Sequence, residues 1–163
     1  MGGREKNEGI ELDGIWAPNP NYVATLGYGW VWFGKIVADP SLAPGSQAYK
    51  FQIGRRLGNL PRHQLKIWNK YTFTTGSVKG LSIGAGVRYV GPTDAQFTQF
   101  IFDWKNPSYQ IYDLYVGYGR KIYGRPVNVW LTGTNMTNHI YLQGLNNNFA
   151  PPRKIFLNVK FDL

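Results

Sequence analysis

Cysteine is absent from the 163 residues. A disulfide scaffold and a thiolate-ligated metal site are therefore excluded. Histidine occurs only as His63 and His139, too far apart in sequence to make a metal site by themselves. Charge is scarce as well: Asp, Glu, Lys and Arg make up 17% of the chain, against about 25% in an ordinary soluble domain. No apolar run approaches the roughly 18 residues of a membrane-spanning helix. The residues after Met1, Gly-Gly-Arg-Glu-Lys-Asn-Glu, lack an apolar core segment, so a signal peptide is not expected here. Acids are in the minority, 9 against 18 Lys and Arg, for a net charge of +9. That balance suits an anionic partner. The basic residues are scattered rather than gathered on one helix, so nucleic acid is not expected.

Glycine, aromatic residues and a period of two are abundant. Twenty glycines disfavour a mainly helical chain. In Leu81-Ser82-Ile83-Gly84-Ala85-Gly86-Val87-Arg88-Tyr89, the odd positions are apolar and the even ones small or polar. A strand sends alternate side chains to opposite faces, so this segment has one apolar side. The same alternation runs through 10–16, 22–33, 65–73, 109–118, 127–134 and 155–163, with Trp68 and Asn69 breaking it in the third strand. The expected fold is an all-β antiparallel meander of seven strands of about ten residues each. An eighth strand is added if Tyr49, Phe51 and Ile53 alternate with Lys50 and Gln52.

The intervals alternate in length. Segments 17–21, 74–80 and 119–126 are short and rich in Gly, Pro or Asn, while 34–61, 91–107 and 143–152 are long. Short turns at one end and long loops at the other are the habit of outer-membrane barrels. Tyr28, Trp30, Trp32, Phe33, Tyr89 and Tyr141 gather at the long-loop end, where ring-bearing residues favour a membrane interface. A soluble β-sandwich also alternates, with its aromatics inside, and periodicity alone leaves both readings open.

Ordered short motifs go further. They are Glu8-Gly9-Ile10-Glu11-Leu12; Asn59-Leu60-Pro61-Arg62-His63 leading to Ile67-Trp68; the run Gly80–Gly91; Pro107-Ser108-Tyr109 with Asp113-Leu114; Thr134-Asn135-Met136-Thr137-Asn138 with Tyr141; and Ala150-Pro151-Pro152-Arg153. In this order and spacing they resemble the C-terminal barrel of TonB-dependent outer-membrane receptors of the siderophore type. Two departures stand out: the chain ends Phe161-Asp162-Leu163 rather than on an aromatic residue, and Thr137 stands where the family more often has one.

The resemblance implies that residues 1–163 are part of a barrel of about 22 strands, without its plug domain, TonB box or signal peptide. The implied location is the bacterial outer membrane. Implied partners are outer-membrane lipid and lipopolysaccharide, a ferric siderophore as substrate, and TonB only through the plug. Seven strands leave two open edges, and unpaired backbone in lipid is costly, so a monomeric transporter is not expected of this chain. Loop residues Arg55, Arg56, Phe97, Phe100, Phe102 and Trp104 are then candidates for ligand contact. Lys66, Lys70, Arg88 and Lys160 are expected to face the lumen, and Val159, Phe161 and Leu163 to form the C-terminal assembly signal. The rival readings are a small stand-alone outer-membrane barrel, structural or adhesive, and a soluble β-sandwich binding carbohydrate. No nucleophile site and no paired acids suggest catalysis, so neither an enzyme nor a cofactor is expected.

Overall fold

The computed structural model describes residues 3–94, 105–143 and 148–161. In chain order the elements are β1 (Arg4–Asn19), β2 (Tyr22–Ala38), α1 (Gln47–Gln52), β3 (His63–Thr72), β4 (Leu81–Val90), β5 (Thr93–Asp94), β6 (Lys105–Asn106), β7 (Tyr109–Ile122), β8 (Arg125–Thr134), β9 (Leu142–Gln143), β10 (Asn148–Phe149) and β11 (Lys154–Phe161). Seven long strands form one antiparallel sheet in the order β1-β2-β3-β4-β7-β8-β11. Each is hydrogen-bonded to the next long strand in the chain, which is the expected meander. The pairs β5–β6 and β9–β10 are two-residue ladders in the second and third long loops.

Among the described residues the sheet is a single layer with no second layer against it. Ile111 is the one fully buried hydrophobic side chain among the described residues. A β-sandwich buries one face of each sheet against the other, so the soluble sandwich reading fails. A closed small barrel fails too, because β1 and β11 lie at opposite ends of the sheet order with no ladder between them.

Four local expectations are corrected. The segment proposed as an eighth strand is helical. Ser46 caps α1 by accepting a hydrogen bond from the Tyr49 amide at 3.1 Å, and no ladder runs beside it. Several strands exceed ten residues: β1 has 16, β2 has 17 and β7 has 14. The turn expected over 119–126 shrinks to Tyr123-Gly124, with φ of 51° and 78°. Positive φ at both central residues matches the twist of a two-residue hairpin. Gly119 is a strand residue whose amide bonds the Gly80 carbonyl at 3.0 Å. Gly124→Ala is expected to lower stability by about 1 kcal/mol, because an L side chain is strained there. The check is the midpoint of urea unfolding followed by tryptophan fluorescence.

The fourth correction concerns Trp68 and Asn69. The β3–β4 register runs without a shift from Gln64↔Val90 to Thr72↔Ser82. Asn69 lies on the same face as Ile67, where its side-chain oxygen accepts the Tyr22 hydroxyl at 2.6 Å. Trp68 lies on the opposite face with Lys66 and Lys70. Its indole occupies the space left by Gly84 and Gly86, since a Cβ on Gly84 would come within 2.9 Å of its Cζ2.

Candidate functional site

The register assigns every strand residue to one of two faces. On one face stand Ile10, Leu12 and Trp16 of β1; Tyr22, Leu26, Tyr28 and Trp30 of β2; and Leu65, Ile67 and Tyr71 of β3. Across the remaining strands the same face carries Ile83, Val87 and Tyr89, then Tyr112, Leu114, Val116 and Tyr118, then Val129 and Leu131, and lastly Leu157, Val159 and Phe161. From Ile10 to Trp16 on β1 through to Ile155–Phe161 on β11, no position on this face between the aromatic ends carries a charge. Many of these side chains are exposed, Leu157 at 68% and Leu12 at 59%.

Aromatic residues mark both ends of the uncharged face. At the long-loop end, the ring of His63 stacks on Tyr28 and on Trp30, each at 6.2 Å between centroids. Trp30 meets Trp32 edge-on at 5.5 Å. A register shift at Glu8/Gly9 places Phe33 opposite Glu8, so Phe33 joins this face instead of alternating to the other. Lys6 and Lys35 lie over its ring at 5.6 and 5.8 Å. At the short-turn end, Trp16 meets Tyr22 at 5.5 Å and Tyr71 meets Phe73 at 4.9 Å. This second band was not anticipated from the sequence, because its members come from separate strands that only the register aligns. From Tyr22 to Trp30 the strand rises about 26 Å at ~3.3 Å per residue. Tilted by about 40°, that spans roughly 20 Å, against an apolar band of ~25 Å in outer-membrane barrels.

The other face is polar and charged. One row across it reads Asp13, Gly27, Lys66, Arg88, Ile111, and the row nearer the long loops reads Glu11, Gly29, Gln64, Val90, Tyr109. Acids from β1 thus stand across a glycine gap from bases on β3 and β4. Arg88 forks onto Asp113, with Nε to Oδ2 at 3.0 Å and Nη2 to Oδ1 at 3.3 Å. Oδ1 of Asp113 also accepts the Asn135 amide at 3.0 Å. Asn135, with φ of 52°, is buried; its side chain donates to the His139 carbonyl at 2.9 Å and accepts the His139 amide at 2.8 Å. The loop after β8 is held in this way, and it carries Tyr141 onto Tyr109 with ring centroids 4.1 Å apart. The result is an open recess lined by Glu11, Asp13, Lys66, Arg88, Tyr109 and Tyr141.

The expected site residues distribute as follows. Tyr28, Trp30, Trp32, Phe33 and Tyr89 lie on the uncharged face, whereas Tyr141 stacks over Tyr109 on the charged one. Lys66, Lys70, Arg88 and Lys160 all project from the charged face. Lys70 lies over the Tyr115 ring at 5.3 Å, and Arg88 is an ion-paired clasp. Val159 and Phe161 occupy the uncharged face, and Leu163 lies outside the described residues. Arg56 donates to the carbonyls of Val31 at 3.2 Å and Leu60 at 3.4 Å, so it ties the first long loop back to β2. Burial, with the nearby charge of Arg62, pulls its guanidinium below the ordinary value. Arg55 is in the same returning segment, where its carbonyl accepts the Ile36 amide at 3.1 Å. Phe97, Phe100, Phe102 and Trp104 fall outside the described residues. Sequence reading missed Asp113 as the partner of Arg88, and missed Tyr109.

Residues 2–146 match the family model described as TonB dependent receptor-like, beta-barrel. The chain belongs to this TonB-dependent receptor family. It is 26% identical over 122 residues to an uncharacterized TonB-dependent receptor of Haemophilus influenzae, covering 69% of this chain and 35% of that protein. It is 32% identical over 95 residues to the ferrioxamine B receptor of Salmonella typhimurium, covering 57% of this chain and 13% of the relative. Among solved structures, the ferric preacinetobactin receptor of Acinetobacter baumannii superposes with a TM-score of 0.77 at 18% identity, over 99% of this chain and 22% of that one. The siderophore receptor PiuA of the same organism gives 0.73 at 19% identity, over 96% and 22%. The chain therefore spans about a third or less of the curated relatives it matches. Outer-membrane barrels are apolar on the outside and polar within, and the register divides this sheet into one uncharged and one charged face.

Proposed function

We propose that these 163 residues form the C-terminal wall of an outer-membrane receptor that takes up a ferric siderophore. The short turns lie toward the periplasm and the long loops outside the cell. The observation that carries the membrane reading is the uncharged face, bounded by two aromatic bands, lying back to back with a charged face. In water such a face would be an exposed apolar patch far above the few hundred Å² normal for a soluble monomer.

The ligand reading rests on the recess at the long-loop end of the charged face. Lys66 supplies a cation, and Tyr109 and Tyr141 supply stacked rings, a chemistry suited to an anionic chelate with planar donor groups. Its relatives are named as receptors for ferrioxamine B and ferric preacinetobactin. The wall is not catalytic. Energy coupling would reach it through a plug domain pulled by TonB, and lipopolysaccharide would contact its outer rim. Since the outer edges of β1 and β11 carry no ladder, further strands must complete the barrel.

Two experiments separate the two parts of this reading. The whole receptor barrel that contains this wall, refolded with zwitterionic vesicles, should float with them in a density gradient; recovery in the aqueous fraction would sink the membrane reading. In the source organism, deletion of the coding region should abolish growth on a ferric siderophore as sole iron source. Unchanged growth across hydroxamate and catecholate chelates would defeat the ligand reading and leave the wall untouched.

A further inference from the structure

The β7–β8 hairpin runs on past the β4 ladder at the short-turn end. The β4 ladder stops at Leu81↔Tyr118, whereas β7–β8 pairing continues to Ile122↔Arg125. The tip carries Arg120, Lys121 and Arg125, and Asp162 is the one acid that follows Asp113 in the sequence. Among the described residues none of the three is paired with a carboxylate. Residues 120–126 are exposed, Tyr123 fully.

Register decides which face these cations occupy. Tyr118, Arg120 and Ile122 share the lipid-side face, and so do Arg125, Val127 and Val129. Arg120 pairs with Val127, so Arg125 is its diagonal neighbour, roughly 7 Å away. Two like charges this close repel unless an anion sits between them. They stand one step beyond Tyr118, where the apolar face ends. An open groove of about 500 Å³ runs from Arg120 along Tyr118, Val127 and Val129.

We infer that this hairpin carries a binding site for an anionic phospholipid of the inner leaflet. The lipid phosphate rests on Arg120 and Arg125, and an acyl chain lies in the groove against Tyr118, Val127 and Val129. The guanidinium fork matches phosphate oxygens in a way an ammonium does not. Tyr123 at the tip reaches the headgroup layer, where a ring with a polar end is favoured. The site rests on the receptor-wall reading, which turns the short hairpins toward the inner leaflet.

The test uses the full chain refolded in nonionic micelles, with phosphatidylglycerol, phosphatidylcholine or inorganic phosphate added and retained lipid counted by native mass spectrometry. The wild type should retain phosphatidylglycerol over phosphatidylcholine. The double variant R120Q/R125Q should lose about fivefold per cation, roughly 25-fold in all. R120K/R125K should fall between them. Circular dichroism of each variant should match the wild type, since both positions are exposed. Inorganic phosphate should not displace the lipid. An undiminished preference in R120Q/R125Q, equal retention of the two lipids, or displacement by inorganic phosphate each overturns the site. If the micellar chain also floats with phosphatidylcholine vesicles, such a result removes the site alone; a chain that joins no membrane removes the wall reading with it.

Discussion

Leu114→Arg should lose about 2–4 kcal/mol of membrane-inserted stability, the cost of a charge near the midplane of a barrel's lipid side. Leu114 is paired with Ala85 and Gly133, midway between the two aromatic bands, and it is 46% exposed. Nothing charged on that face could pair with the new guanidinium, and the two neighbours are too small to shelter it. Thr132→Arg is the matched control. Thr132 lies opposite Tyr115 and Phe156 on the charged face, where an added arginine can stay in water. The measurement, made on the whole receptor barrel that contains this wall, is the vesicle-bound fraction in a density gradient, followed through a urea titration. L114R should leave the vesicles at lower urea while T132R follows the wild type. Equal behaviour of the two would mean that the faces are not distinguished by lipid, and the wall reading would fall.

The two faces were legible in the sequence because a period of two is a local signal. Leu81–Tyr89 shows it with small or polar residues at every second position, and Ile155–Phe161 shows it with Phe156 as the one exception. The number of strands, their order and the family were legible for the same reason: each motif is short and keeps its place in the chain. Other features depend on what lies across the sheet. Trp68 looked like a fault in its strand because the space for its indole is made by Gly84 and Gly86 on the next one. The lower aromatic band joins Trp16, Tyr22 and Tyr71, which no window of a single strand contains. Around Tyr49–Ile53 the alternation was too short to tell a strand from one helical turn. Ser46, a good N-cap three residues before Tyr49, was the available sign. Over 119–126 the glycines and Pro126 resembled one long turn, although only Gly124 needs its positive φ. Bulges are equally silent: the extra residue at Trp32 returns Phe33 to the uncharged face, where strict alternation would put it on the charged one.

The clasp between Arg88 and Asp113 was the feature most hidden from the sequence, being 25 positions apart, and it supports the second large effect. Asp113→Ala should destabilise the wall by about 2 kcal/mol, below the 3–5 kcal/mol of a fully buried pair because the Arg88 side chain is 41% exposed. The loss has two sources. Arg88 loses its only ion-pair partner among the described residues, beside Lys66, the residue directly across from it on β3. The Asn135 amide loses its acceptor in a place where the residue is almost fully buried, at 3% exposure. Asp113→Asn separates the two, since its amide oxygen can still accept from Asn135 while the charge is gone. D113N should therefore retain about half of the lost stability. The loop after β8 gives an independent readout, because Asn135 holds His139, and His139 stacks on Tyr141 at 6.3 Å. In D113A, hydrogen exchange at the His139 amide should quicken and the Tyr109–Tyr141 stack should loosen; in D113N both should stay close to wild type. If D113A leaves the exchange at His139 unchanged, the clasp does not hold that loop. The recess at the long-loop end of the charged face would then owe its shape to the strands alone.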